Sequence, residues 1–402
     1  MTSTPITGGT LLFPGLIDCH VHFREPGYEH KATMATEAAS ARAGGITCVC
    51  EMPNTDPPCV TIDALRQKIR IADTITDCDI RFFFGMTDAS HIEEFRTAWN
   101  EPDLRRRLCG VKLYLDHSTG DQKVDGGIVE EIFRTCAELD APLVAHCEDS
   151  AMNDAAAQFI QKSGARDTIM HDVSLHSLMR PCASEEKAIA YAIDLTKQHG
   201  TRFHVAHLST AAGIDLVRSA KKNGVAVTCE VAPHHLFLTL DDYASLGTLG
   251  KMNPPLRTHK DQQALWNGIA DGTVDCIATD HAPHTLKEKN AGDPLQAPSG
   301  VPGVQTMLPL LLTVAGGGWP HPSSTRPDIR IFGYSDITRL CFENPNRIFA
   351  LGKKDPAQDS HADRVIIDPT ISYVIHAADL HSKCGWTPCG GWNVRGKVVD
   401  VR

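Results

Sequence analysis

The residues best suited to chemistry begin with His20 and His22, in the stretch Asp18-Cys19-His20-Val21-His22-Phe23-Arg24. An apolar run, Leu11 to Ile17, precedes them and reads as a buried strand broken at Pro14-Gly15. Residues i and i+2 of a strand project to the same side, so the two imidazoles meet at one point where the strand ends. Imidazole is the commonest metal-ligating side chain, and a pair so placed is half of a metal site. Arg24 extends the same face by one step, and its planar fork suits a carboxylate. Two histidines near a strand end are common in isolation; the company they keep gives this pair its meaning.

That company lies at the ends of other apolar runs. Lys112 falls in Gly110-Val111-Lys112-Leu113-Tyr114, His146 in Ala145-His146-Cys147-Glu148, His207 in Val205-Ala206-His207-Leu208, and Asp280 in Thr279-Asp280-His281-Ala282-Pro283-His284. A charged lysine is costly inside an apolar strand. It either snorkels to a rim or changes its chemistry. Beside four His and one Asp the second reading is the stronger: its amine, carbamylated by carbon dioxide, becomes a carboxylate that can bridge two metal ions. Two zinc ions about 3.5–4 Å apart are an established hydrolytic arrangement.

The elements that must position these groups alternate strand and helix. Strand-like runs recur at Ile46 to Met52, Ile80 to Met86, Gly110 to Leu115, Pro142 to Cys147, Phe203 to Leu208, Val225 to Val231 and Val274 to Thr279. Helical patterns separate them, among them 31–43, 62–73, 127–139, 185–198, 211–222 and 260–269. The stretch 150–183 is less regular. The strands are continuous apolar runs, as expected of strands buried on both faces. Eight of them alternating with helices predict an α/β fold, a (β/α)8 TIM barrel, in which reactive residues gather at the C-terminal ends of the strands. The barrel is expected over 13–349. Residues 1–12 and 350–402, with short β-like runs, are expected to form a small β appendage from the two chain ends.

Composition narrows the classes. The chain has 402 residues, 42% hydrophobic and 22% charged, with a net charge of −10 and no basic run, which argues against a nucleic-acid partner. No window has the 18 or so apolar residues of a membrane-spanning helix, and no secretory leader is evident in MTSTPITGG. The 14 Cys include no C-x-x-C pair, and several lie inside apolar strands. They are expected to be reduced, which points to the cytoplasm.

The segments PGLIDCHVHFREPG, EMPNT, GVKLYL, VAHCED, HVAHLST, VTCEVAPHHLFL, KMNPPLR, ATDHAPHT and PGVQTMLPLLL, in this order from about 14 to 312, resemble the dihydroorotase family of the amidohydrolase superfamily. NPNRIF and the tail extend the resemblance over nearly the whole chain. It implies a zinc held by His20, His22 and Asp280 and a second held by His146 and His207, with carboxylated Lys112 and a hydroxide bridging them. It further implies Asp280 as general base and acid, Arg24, Asn54 and His284 on the substrate carboxylate, and Asn253 with the backbone of Pro302 and Gly303 on the ring. Ser118 or Thr119, in the segment after the lysine strand, is expected to contact bound substrate as part of a lid. His235 and His281 are expected to be structural. The chain resembles the lysine-bearing forms. In the animal multifunctional enzyme a cysteine just before the strand-six histidine helps hold a further zinc; Ala206 stands there in this chain, which speaks against a third ion.

The activity so implied is the reversible hydrolysis of dihydroorotate to N-carbamoyl-aspartate, a step of pyrimidine synthesis. The alternatives are another cyclic amidase (dihydropyrimidinase, hydantoinase or allantoinase), whose substrates lack the carboxylate that Arg24 and Asn54 would bind, and a non-catalytic scaffold on the same fold, which would lack ligands. A homodimer matches the family's habit. The resemblance also raises an association with aspartate transcarbamoylase, of which the sequence carries no sign.

Overall fold

The computed structural model describes residues 5–6, 9–116, 122–162, 173–290 and 292–402. Two short strands, β1 (Pro5–Ile6) and β2 (Thr10–Pro14), precede the first barrel strand, β3 (Leu16–Val21). The barrel continues through β4 (Ile46–Glu51), β5 (Asp79–Gly85), β6 (Leu108–Tyr114), β7 (Leu143–His146), β8 (Phe203–Val205), β9 (Val227–Val231) and β10 (Cys276–Ile277). These eight strands pair in chain order, all parallel. A bridge between Val21 and His281, with the His22 N–H donating to the His281 carbonyl at 2.7 Å, closes the seam between first and last strands. Parallel strands need crossovers, and the helices between them supply these. The order and closure are those of a (β/α)8 barrel.

The apolar run 11–17 turns out to serve two sheets. Pro14 ends β2, and Gly15 turns the chain into β3; a Cβ at Gly15 would lie 2.2 Å from Thr47 Oγ1, so the approach demands glycine. β2 joins β1, β11 (Arg364–Val374) and β12 (Asn393–Val401) in an antiparallel four-stranded sheet built from both chain ends. β11 merges two runs that look separate in the sequence. The irregular region contains a helix, Ser150–Lys162, which the mixed polarity of its residues conceals. The lid residues Ser118 and Thr119 lie outside the described residues.

Packing follows the sequence pattern. In the helix Val129–Glu138 the buried residues Val129, Ile132, Phe133 and Cys136 form one stripe at spacings of three and four. Helix Met34–Ala43 starts at a capping box made by Thr33 and Thr36 and stops at Gly44. The barrel interior is filled by small or flat side chains, including Cys19, Cys48, Cys50, Cys109, Cys276 and Phe83, with Phe349 closing one end. All 14 cysteines are free thiols, and all but Cys182 are buried.

Candidate active site

His20 lies within β3 and His22 one residue beyond its end, and the strand alternation brings both Nε2 atoms toward Asp280, which follows β10. Asp280 Oδ1 is 3.0 Å from His22 Nε2 and 3.4 Å from His20 Nε2. The outer nitrogens are engaged: His22 Nδ1 meets Asn54 Oδ1 at 2.6 Å, and His20 Nδ1 makes a short contact with Glu230 Oε1. A ring that donates from Nδ1 to an oxygen presents a lone pair at Nε2. Two such lone pairs and a carboxylate oxygen thus face one point, within 4.8 Å of one another. That arrangement repels itself unless a cation sits between. A proton on His22 does not serve, because burial pulls its pKa down to about 4. Burial would raise the pKa of Asp280, but His20 and His22 outweigh it and hold the carboxyl well below its usual range.

The second half is assembled from β6, β7 and β8. His146 closes β7; its Nε2 is 2.8 Å from Glu148 Oε2, and its Nδ1 faces His207 Nε2 at 3.1 Å. His207 lies beyond the end of β8 with φ of 30°. Its Nδ1 has no hydrogen-bond partner among the described residues, and burial, then His146 and Lys112, keep its ring neutral. The imidazoles of His20 and His207 lie 5.2 Å apart between centroids, so the two halves form one cluster. Lys112, in the middle of β6, is 1% exposed, and its Nζ meets no hydrogen-bond partner among the described residues. Its Nζ lies over the face of Tyr114, 5.0 Å from the ring centroid. Burial lowers its pKa to about 8 against the pull of Glu230 and Asp280, leaving part of the amine neutral and nucleophilic near pH 7. An orphaned buried amine beside converging imidazoles fits a bridging carboxylated lysine, which would satisfy it.

Arg24, Asn54 and Asn253 line the same cavity as His20, His22, His146, His207 and Asp280. Arg24 is buried with φ of 67°, and its Nε donates to the Pro283 carbonyl at 3.0 Å. Asn253 Oδ1 is 2.8 Å from His176 Nε2. Three expected contacts are not brought to this cavity. His284 sits behind Arg24, its Nε2 3.0 Å from Arg24 Nη2 and 3.0 Å from the Ser299 carbonyl, its Nδ1 3.2 Å from Lys31 Nζ. Pro302 and Gly303 line a neighbouring small pocket with His281, whose Nδ1 accepts the Gly303 N–H at 3.0 Å. Ser299 and Gly300, a few residues earlier, stand at the cavity instead. His281 is structural in its contacts, with Nε2 2.8 Å from Glu37, and His235 Nε2 faces the Pro254 carbonyl at 3.0 Å.

Two carboxylates emerge with roles that the motifs did not announce. Glu230, fully buried on β9, takes contacts from His20, His204 (3.2 Å), the Cys19 thiol (3.4 Å) and the His207 N–H (3.2 Å). Glu148 faces His146 and is gripped by Arg180, whose Nε lies 3.0 and 3.1 Å from its two oxygens. Arg180 also donates to Asp116 at 2.7 Å. Such carboxylates fix the tautomer and aim of ligating imidazoles. The signal for Glu148 was its place two residues after His146, on the same side of an extended chain.

A family model described as dihydro-orotase-like matches residues 9–212. A dihydroorotase of Halobacterium salinarum is 39% identical over 385 residues, covering 94% of this chain and 82% of the relative. One from Staphylococcus epidermidis is 36% identical, covering 96% and 85%. Among solved structures, an L-hydantoinase (dihydropyrimidinase) from Arthrobacter aurescens superposes with a TM-score of 0.88 at 26% identity, covering 98% of this chain and 84% of that one. A dihydropyrimidinase from Brevibacillus agri, at 0.85 and 22%, covering 98% and 84%, shares the fold.

Proposed function

Because this chain belongs to the dihydroorotase-like family, we propose that it catalyses the reversible hydrolysis of (S)-dihydroorotate to N-carbamoyl-L-aspartate, with ring closure the direction used in pyrimidine synthesis. The observation that carries the reading is a buried guanidinium, Arg24, in the same cavity as the His and Asp cluster. A cation fixed there pairs with the carboxylate that distinguishes dihydroorotate from neutral cyclic amides. The donors suit two zinc ions: His20, His22 and Asp280 would hold one and His146 and His207 the other, with Lys112 in its carboxylated form as a further donor. Bound there, the ions would polarise the ring carbonyl and make a nucleophile of water near neutral pH.

The chain's own groups do the rest. Asp280 takes the proton of the attacking water on a carboxylate oxygen and returns it to the ring nitrogen as the C–N bond breaks. In ring closure the same oxygen takes the proton from the ureido nitrogen. Arg24 and Asn54 hold the carboxylate, with His284 acting through Arg24, and Asn253 holds the ring. Residues 13–349 would form the catalytic unit, and 1–12 with 350–402 an appendage to it. A homodimer in the cytoplasm belongs to the same reading, supported for the compartment by the buried free thiols. No helix among the described residues is long and apolar enough to cross a membrane.

The test is turnover of dihydroorotate by the zinc-loaded protein, with dihydrouracil in parallel. Dihydroorotate alone is expected to react, and Arg24→Ala is expected to cut its kcat/KM by about a hundredfold, the worth of a charged hydrogen bond. The hydantoinase-like neighbours make a neutral ring the second reading. Turnover of dihydrouracil alone would install it in place of the first.

A further inference from the structure

Lys289 ends the short helix Leu286–Lys289 and is 0% exposed. Its ammonium meets no carboxylate among the described residues. Instead Nζ donates to three backbone carbonyls, those of Lys251 at 2.9 Å, Pro298 at 3.0 Å and Gly300 at 3.1 Å. The Trp386 ring lies 5.6 Å away. A second buried lysine completes the pattern: Lys251 Nζ donates to the carbonyls of Leu295 at 2.6 Å and Ala297 at 2.5 Å. Gly300 N–H returns a bond to the Lys251 carbonyl at 3.0 Å. Four carbonyls of the loop 295–300 thus point at two ammonium groups.

This loop is a wall of the cavity, since Ser299 and Gly300 face the His and Asp cluster. The segment tied to it, 251–253, carries Asn253 into the same cavity. The loop has little regular structure of its own, one 3₁₀ turn at Pro294–Gln296. Gly300 has φ of 138°, and a Cβ there would lie 2.6 Å from the Ala282 carbonyl, so the wall is pressed closely against the turn after β10. Burial, then Lys251 and Arg24, draw the pKa of Lys289 down to about 7, while three carbonyl dipoles favour the charged form.

We propose that Lys289, with Lys251, is a positioning residue that acts as a built-in monovalent cation, gathering backbone carbonyls so that loop 295–300 and Asn253 form one rigid substrate-facing wall. Neutral carbonyls around a desolvated ammonium form the kind of cage that holds small cations, so a free one can substitute for the lysine head group. The kinetic consequence rests on the dihydroorotase reading; the structural one does not.

The test uses the full-length zinc-loaded protein with Lys289→Ala and Lys289→Met, reading steady-state kinetics and amide hydrogen exchange of peptides covering 292–301. Lys289→Ala is expected to raise KM for dihydroorotate about tenfold with kcat within about threefold, and to speed exchange in the loop. Methylammonium chloride is expected to reverse both changes and choline chloride at equal ionic strength neither. Lys289→Met, whose side chain fills the space, is expected to show the loss without the rescue. Unchanged loop exchange in Lys289→Ala, or equal rescue by choline, overturns the proposal. If Lys289→Ala does not fold, Lys251→Ala is read in the same way, and an unaltered loop again overturns it. Wild-type protein without dihydroorotate turnover, but with loop exchange that methylammonium restores in the variant, removes the proposed activity and supports the clamp.

Discussion

The two halves of the ligand cluster are held on unequal terms. On the side of His20, His22 and Asp280, both imidazoles have their outer nitrogens engaged, by Glu230 and Asn54, and both inner nitrogens lie within 3.4 Å of one carboxylate oxygen. On the side of Lys112, His146 and His207, His146 alone has a backing carboxylate among the described residues, and Lys112 Nζ and His207 Nδ1 have no hydrogen-bond partner among them. A buried polar atom left unsatisfied costs about 1–3 kcal/mol. The fold therefore orients the donors of the first half, which still call for a cation, and leaves two polar atoms of the second without support. In the proposed reading a carboxylated Lys112 would supply what the second half lacks.

The sharpest way to break this comparison is at Asp280, to which the proposed reading gives both ligation and proton transfer. Asp280→Asn is expected to lower kcat by about a thousandfold or more; a fall of less than about tenfold would show that another group moves the proton. Next, Lys112→Met is expected to reduce bound zinc from about two ions per chain to about one, measured by atomic emission, because the second half loses its bridging donor. Retention of both ions would mean that the lysine is not a ligand. Smaller effects are expected from the backing carboxylates: Glu230→Gln and Glu148→Gln should each weaken zinc binding about 10–100-fold in a chelator competition. Equal affinity in wild type and Glu148→Gln would mean that the grip of Arg180 has no bearing on the site. The smallest effect has the opposite sign. In metal-free protein Lys112→Met should raise stability by about 1 kcal/mol, seen as a higher Tm, because it removes an orphaned amine from the core.

Much of this site was legible in the sequence because its logic is that of strand ends. The His-x-His spacing, the lone lysine in an apolar strand and the histidines closing β7 and following β8 all report their positions through alternation and polarity. What the sequence concealed is backbone direction. Arg24, His207 and Asp280 adopt φ of 67°, 30° and 46°, a conformation that non-glycine residues rarely take and that no residue type announces. These turns end β8 at Val205 and β10 at Ile277, earlier than their apolar runs suggest. Nor does the sequence show which backbone groups are already engaged: the Gly303 N–H, which the resemblance implies for the ring, donates to His281 Nδ1 at 3.0 Å, and Ser299 and Gly300 line the cavity. Pro14-Gly15 marks a break in the run 11–17, but apolarity is blind to which sheet a residue joins, so the sequence does not show that the two sides of the break belong to different sheets.

The closure of the barrel at Val21 and His281 has a consequence for biosynthesis. His22 and Asp280 face each other across that seam although 258 residues separate them. A growing chain therefore carries two imidazoles through most of its translation before the third donor emerges. In the proposed reading, an ion held by this trio would mark a barrel whose last strand has docked on its first, a chemical signature of completed assembly.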